Sequence, residues 1–473
     1  MTIGKVARRS LSPAPEARPV KRRKLEYPPL TSDDYKNGVM LAPMVRSGAL
    51  PTRLFALKHG AKLVWGPETV DKAILHTERV VDPVTGVVSF NGKSKAIFST
   101  HPIEKPFLIY QIGSADPATA VQAAKMVQQD IAGVDLNCGC PKPFSTHSGM
   151  GAALLTNPDL LCSILTALRE ALPKEITVSA KIRLLPSQED TLKLVERIVN
   201  TGISCLTVHC RTRNMRPKER ALPERLKEIV DYVESLGKGV AVIENGDCVS
   251  YEDSKRIREM TGAHSVMIAT AAEANPTCFA AKPYSDLEKT FIPSYIRLAK
   301  YIGNHWSNTK FCSSQFRGTH IVGTKSEQNA IKLAITQSKN YDDLESLIGP
   351  WTGEQEFEEI VRAIESRDGR VPQIEDAEVT VTTTDDKEAP SQAHELDVTA
   401  AAVAVTEAGS PASSLGLNSD AFKTPVNDRS PDPSLQKAPL VNELRMPVPA
   451  FVLGVDVPTP TPSQRASSPE AQP

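Results

Sequence analysis

The chain has 473 residues, 40% of them hydrophobic, which allows a sizeable core and two or three domains, and a formal net charge of −1. No run of 18 apolar residues occurs, which excludes a membrane-spanning helix of ordinary length. Its eight cysteines are scattered, a usage that fits a reducing compartment better than a disulfide framework.

The near-neutral total hides two charged ends. Residues 1–30 hold eight Lys/Arg against Glu16 and Glu26. No apolar stretch follows these basic residues, so secretion is not expected. The run "VKRRKLEYPP", with its cluster at 21–24, fits a cytoplasmic or nuclear protein, as an import signal, an RNA-contacting arm or a plain solvated arm. Mitochondrial import stays open. We expect residues 1–30 to be a disordered basic arm. Eight short apolar runs follow: "GVMLAPM" (38–44), "AKLVWGP" (61–67), "FLIYQIG" (107–113), "GVDLNC" (133–138), "TVSAKIR" (177–183), "SCLTVHC" (204–210), "VAVIENG" (240–246) and "SVMIAT" (265–270). Each ends in a turn-former or a polar residue, and helix-like stretches such as 117–129, 190–202 and 222–237 come between them. Strands apolar on both faces and alternating with helices form parallel sheets, and eight such units over 31–285 predict an α/β fold, a (β/α)8 TIM barrel. Segment 78–105 interrupts the alternation and reads as an inserted hairpin, with "DPVTG" and "NG" as turns. Residues 286–370 read as a small all-α domain. Residues 371–473 form an acidic, Pro/Ser/Thr-rich tail, predicted to be disordered because it buries too little apolar surface.

Active sites of this barrel lie at the C-terminal ends of the strands. Polar or reactive residues fall at those ends: Pro43 and Met44, Glu68, Gln111, Asn137 to Cys140, Lys181 and Arg183, His209 and Arg211, Glu244 to Asp247, Ala269 and Thr270. Any one of them is as well explained as a loop cap. Nearly all eight ends decorated together are not. A lysine in mid-barrel is costly unless it meets an anion or an electron-rich ring, and amides can read the edge of a flat heterocycle. With phosphate-binding loops customary after the last two strands, the pattern suggests a phosphorylated planar cofactor such as a flavin. No Walker loop or GxGxxG after a strand is present, and the cysteine spacings match no usual zinc pattern, so we assign no metal. Cys138 and Cys210 close apolar runs and read as packing. Cys140 lies instead between Gly139 and Pro141 on a loop. With an ordinary thiol pKa of about 8.5 it is mostly protonated at neutral pH and suited to general acid work. It would be a nucleophile only with a base beside it, for which His147 is one candidate.

The stretches "VMLAPMVRSGALPTRLFALKHGA", "YQIGSADP", "GVDLNCGCPKPFSTHSGMGAALL", "AKIRLLP", "TVHCRTRNMRP" and "ENGD" together resemble the tRNA-dihydrouridine synthases, most closely the fungal-type tRNA-dihydrouridine(20) synthases. The resemblance runs from about Asn37 to about Gly349, and "IRLAKYIGNHWSNTKFC" is similar to the start of that family's helical tRNA-binding domain. It implies an FMN enzyme reduced by NADPH or NADH, which delivers hydride to C6 of a D-loop uridine in tRNA, U20 by the closest class, while Cys140 protonates C5. Pro43, Met44 and Val45 would lie along the flavin. Gln111 and Lys181 would contact its ring, with Asn137 and His209 beside it. Asn245, Gly246, Asp247, Ala269 and Thr270 would form the phosphate end, and Arg183 and Arg211 would face the substrate. Two positions depart from the family pattern. Cys210 stands where a glycine is common, adding bulk beside the site, and Thr270 stands where an arginine is common. Animal members also carry a double-stranded-RNA-binding domain, for which the tail shows no pattern. RNA contact is therefore expected from 289–339, where eight Lys/Arg oppose the single acid Glu327 and Tyr295, Tyr301, Trp306, Phe311 and Phe316 are interleaved. Those aromatics are equally expected to form the core of a helical bundle. We expect a tRNA partner, no membrane and a monomer. Two readings compete: a small-molecule flavin oxidoreductase of the dihydroorotate-dehydrogenase or old-yellow-enzyme kind, and a non-catalytic RNA-binding barrel.

Overall fold

The computed structural model describes residues 27–216, 218–318, 325–349 and 353–367. The basic arm up to residue 26, with its cluster at 21–24, and the acidic tail beyond residue 367 lie outside the described residues.

All eight predicted strands form. They are β1 (Val39–Leu41), β2 (Val64–Trp65), β3 (Leu108–Gly113), β4 (Gly133–Cys138), β5 (Thr177–Leu184), β6 (Cys205–Thr212), β7 (Ala241–Asn245) and β8 (Ser265–Ile268). All pair in parallel with sequence neighbours, β8 pairs with β1, and β2 pairs with β3 to close the ring. The fold is a TIM barrel. Strands 3 and 4 are buried along their whole length, the polar Gln111, Asp135 and Asn137 included, because helices cover the outside. The barrel floor is plugged by Tyr35, whose hydroxyl lies 2.6 Å from Thr177 Oγ1.

Helix boundaries follow local chemistry. Ser187 caps Gln188–Val199 and Asn157 caps Pro158–Ala171, each side-chain oxygen accepting from a first-turn N–H. Gly262 ends Tyr251–Thr261 with φ +69°, a conformation that favours glycine.

The inserted segment has one strand more than a hairpin. Its two turns link Glu78–Val81, Val88–Asn91 and Ala96–Thr100 into an antiparallel meander. Asp82 Oδ1 accepts from Val84 and Thr85 N–H, both at 2.8 Å, which makes the first turn. The meander's far end is fixed by a buried ion pair: Arg53 Nε and Nη2 donate to Glu104 at 2.9 and 2.6 Å, and Nη1 and Nη2 donate to the Gly48 and Ser99 carbonyls.

The all-α region contains Ile292–Tyr301, Trp306–Gln315, Lys325–Gln337 and Glu354–Glu365. It packs on the barrel helix Leu50–Lys58, where Phe55 meets Phe291 edge-on at 4.8 Å and Lys58 pairs with Glu359. Tyr27 and Leu30, which the sequence reading placed in the arm, also pack here: Tyr27 stacks edge-on against Phe107 at 5.0 Å, and Leu30 is buried.

Candidate active site

Residues at the strand ends meet at the barrel mouth, where a buried chain of polar side chains crosses three strands. Ser179 Oγ donates to Asp135 Oδ1 at 2.7 Å, Gln111 Nε2 to Asp135 Oδ2 at 2.8 Å, and Asn137 Nδ2 to Gln111 Oε1 at 2.9 Å. Asn137 Oδ1 then accepts from the Gly139 and Cys140 N–H groups at 3.0 and 2.9 Å. Both lone pairs of that oxygen are used, so Asn137 acts on the loop of Cys140. The chain assigns the amide orientations, since only one choice satisfies every donor.

Cys140 is half-buried on this loop. The loop is compact because Gly151, at φ +59°, approaches it closely: a Cβ there would lie 2.4 Å from Ser145 Oγ and 2.7 Å from the Cys140 carbonyl oxygen. Burial first, and the Glu68 carboxyl second, push the Cys140 thiol up from its ordinary range. It therefore stays protonated at neutral pH. His147 is exposed at the end of the short helix Pro143–Thr146, and the acid-base group against the thiol is Glu68, from the end of β2.

The centre of the barrel mouth is cationic. Lys181 Nζ donates to Asn245 Oδ1 at 2.7 Å, its single acceptor among the described residues. Burial lowers its pKa to about 8, against the raising influence of Asp135. His209 is held down to about 2, by burial first and then by Lys181, Arg183 and Arg211, so its ring is neutral. A lysine with N–H donors to spare beside a neutral imidazole matches an electron-rich planar ring or an anion, which answers the desolvation cost of the lysine.

Comparison with known proteins decides the lineage. The dihydrouridine synthase (Dus) family matches residues 40–364. The chain belongs to this family. It is 47% identical over 319 residues to the tRNA-dihydrouridine(20) synthase (NAD(P)+) of Schizosaccharomyces pombe, covering 66% of this chain and 64% of the relative. It is 41% identical over 301 residues to the enzyme of the same name from Saccharomyces cerevisiae, covering 59% and 77%. The chain thus spans just under two thirds of the first relative's length.

Within this Dus fold the arginines are tied to the protein's own loops. Arg183 donates to the Gly139 and Thr212 carbonyls at 2.8 and 3.0 Å. Arg211 donates to the Glu219 carbonyl at 2.8 Å and pairs with Asp247. Cys210 is fully buried, and the two-residue period of β6 puts it on the face opposite His209, against Glu244. The bulk expected beside the site is therefore behind the strand. Gly246 is needed for the same neighbour, since a Cβ there would lie 2.4 Å from Glu244 Oε1. Ala269 and Thr270 open the short helix Thr270–Ala274. Pro43 and Met44 are half-buried after β1 and Val45 is 57% exposed.

Val45 and Glu68 line one cleft of about 530 Å³ with Lys95, Ile97 and the turn Ile302–His305. Arg46, at φ +69°, spans it, with its guanidinium 4.0 Å over the Phe311 ring and donating to the Ser307 carbonyl. The aromatics of 289–339 mostly form core, as one of the two expectations held. Tyr295 and Phe316 are buried at 4.8 Å from each other, Trp306 packs on Tyr341, and Tyr301 on Phe357. Part of the basic excess is internal too, since Arg297 pairs with Glu356 and Lys300 with Asp342, acids just beyond the segment. Lys289, Arg317, Lys332 and Lys339 remain exposed.

The sequence reading missed Asp135, which lies inside an apolar run and is pushed up to about 6 by burial. An acid within "GVDLNC" was itself the available signal. Glu68 was noticed as a strand-end residue and given no role.

Proposed function

We propose that this chain is a tRNA-dihydrouridine synthase that reduces the C5=C6 bond of a D-loop uridine, U20 by likeness to the relatives named for that position. The observation that carries the reading is Cys140, its thiol pushed up by burial and by Glu68 and its loop held by Asn137, at the rim of a cationic barrel centre in a member of the Dus family. A bound flavin, FMN in this reading and reduced by NADPH or NADH, supplies the hydride for C6. Lys181, His209 and Gln111 would hold its ring, with Pro43, Met44 and Val45 along it. Asn245, Gly246, Asp247, Ala269 and Thr270 would lie toward its phosphate.

Cys140 gives its proton to C5 from the side chain that Asn137 and Gly151 fix in place. Protonation of carbon needs a positioned acid, because bulk water is too weak a donor at neutral pH. The reacting uridine must leave its stack to reach the barrel mouth. Asn137 sets the loop and Asp135 orients Gln111, so both are positioning residues. Arg183 supports the Cys140 loop through the Gly139 carbonyl, and Arg211 supports the loop that carries Glu219. Through these loops both would shape the substrate side.

The test is dihydrouridine content at each D-loop position of unmodified tRNA after incubation with the protein, FMN and NADPH. Dihydrouridine at one position, lost with Cys140→Ala while tRNA still binds, is the expected result. NADPH oxidation without dihydrouridine would overturn it in favour of a small-molecule flavin oxidoreductase.

A further inference from the structure

A general acid that gives up its proton at every turnover must be recharged, and Cys140 has few routes to a new proton. Its loop is closed on one side by Gly151 and Ser145, and Arg183, which faces it from β5, has no proton to give. The group that does face it is Glu68. This carboxyl lies against the Cys140 thiol and the Ser145 hydroxyl, with Ser145 Oγ 3.5 Å from Glu68 Oε1. It is wedged there: a Cβ on Gly113 of β3 would lie 2.8 Å from the same oxygen. Its other side is open, because Glu68 is only partly buried and lines the cleft of about 530 Å³ between the meander and the turn Ile302–His305.

We propose that Glu68 is the proton relay of the site, which reprotonates the Cys140 thiolate after each turnover and is itself recharged from solvent through this cleft. The inference rests on the reading of Cys140 as the acid. In the step, the O–H bond of the Glu68 carboxyl breaks as the S–H bond of Cys140 forms. The carboxylate left behind takes a proton from water in the cleft. Burial raises the Glu68 carboxyl above the ordinary range, so more of it carries a proton at neutral pH than an exposed glutamate would. The charged groups facing the pair are Arg183 beside the thiol and, along the cleft, Arg46, Arg53 and Lys95. Ser145 and the Lys142 N–H add hydrogen bonds to the thiol.

Glu68→Gln in the full chain tests this with two readouts. In flavin-loaded, pre-reduced enzyme with tRNA and NADPH both in excess, the first turnover should keep its rate, because Cys140 starts protonated. Later turnovers should slow by about a hundredfold. Independently of activity, the pH profile of Cys140 alkylation by iodoacetamide, followed on its own peptide, should shift to lower pH, because a negative neighbour is gone. First and later turnovers that fall together, or an alkylation profile that does not move, would each overturn the proposal. Should the variant not fold, the intact enzyme carries the test: its ratio of first-turnover to steady-state rate should rise with pH as Glu68 ionises, and a flat ratio from about pH 6 to 9 would overturn it. Failure of the underlying reading looks different, since Cys140→Ala would then retain turnover.

Discussion

Lys181 shows how one residue's environment can set a cofactor's affinity. Burial holds its amine near a pKa of about 8, while Asn245 takes only one of its N–H groups. A lysine is charged below its pKa, so the free protein presents a cation at pH 7 and loses it as pH rises through about 8. An anionic or electron-rich ligand holds the lysine charged in the complex. With FMN as the proposed cofactor, its affinity should therefore be level below pH 8 and weaken above it, by up to about tenfold per pH unit. Lys181→Met should bind FMN more weakly and remove that pH dependence, as read by flavin fluorescence titration. A wild-type affinity that stays level to higher pH would show that the ligand does not depend on this charge. At this scale the sequence was informative where chemistry is exposed by position. Cys140 between glycine and proline, and Lys181 at a strand end, could be read from the order of residues alone. Asp135 was visible as an acid inside an apolar run, but its partners, like the second neighbour of Cys140, were not, because they lie on other strands. Glu68 stands 72 positions before Cys140, and only the pairing of β2 with β3 and of β3 with β4 brings it to the thiol.

The same limit appears between elements. Eight strands and their parallel order were legible because strands covered on both faces leave apolar runs that end at turn-formers. The meander was half legible: its two turns were read, but not that two turns make three strands. Its anchor was invisible, since Arg53 lies in a helix buried on nearly all sides and Glu104 in a loop, and nothing in either stretch points to the other. That pair has 1% and 0% side-chain exposure. A buried pair adds little net stability over an apolar one of equal shape, but removing one partner leaves the other charge stranded. Glu104→Gln should therefore cost about 3–5 kcal/mol in chemical unfolding. Glu104→Gln combined with Arg53→Met should recover part of that loss. Because the meander walls the cleft that Glu68 lines, the single variant should also lower activity below its melting transition. A single variant of wild-type stability would mean that the guanidinium is satisfied by the Gly48 and Ser99 carbonyls alone.

Across the whole chain, charge is divided between the ends. Eight basic residues lie before Tyr27, 15 acidic ones lie beyond residue 373, and the segment between is close to neutral. On the proposed function, a nearly neutral body that acts on a polyanion needs its cations concentrated somewhere. In the helical region part of the excess is spent internally, on Glu356 and Asp342, so fewer charges there are available to phosphate than the sequence count implied. The exposed Lys289, Arg317, Lys332 and Lys339 are few for a tRNA-sized partner. The basic arm is the natural supplement, and Tyr27 and Leu30, packed against the barrel, fix where it departs. Each phosphate that a cation neutralises releases counterions, and the slope of log affinity against log salt counts them. A chain lacking residues 1–26 should bind tRNA more weakly at low salt, with a slope shallower by about 0.7–0.9 for each phosphate the arm no longer neutralises. Its affinity should converge on that of the intact chain as salt rises, while the uridine it modifies stays the same, since the barrel mouth is untouched. Filter binding between about 50 and 200 mM salt measures the slope. An unchanged slope would place all of the phosphate neutralisation in residues 27–473 and leave the arm's cluster at 21–24 free for another role, such as import into the nucleus.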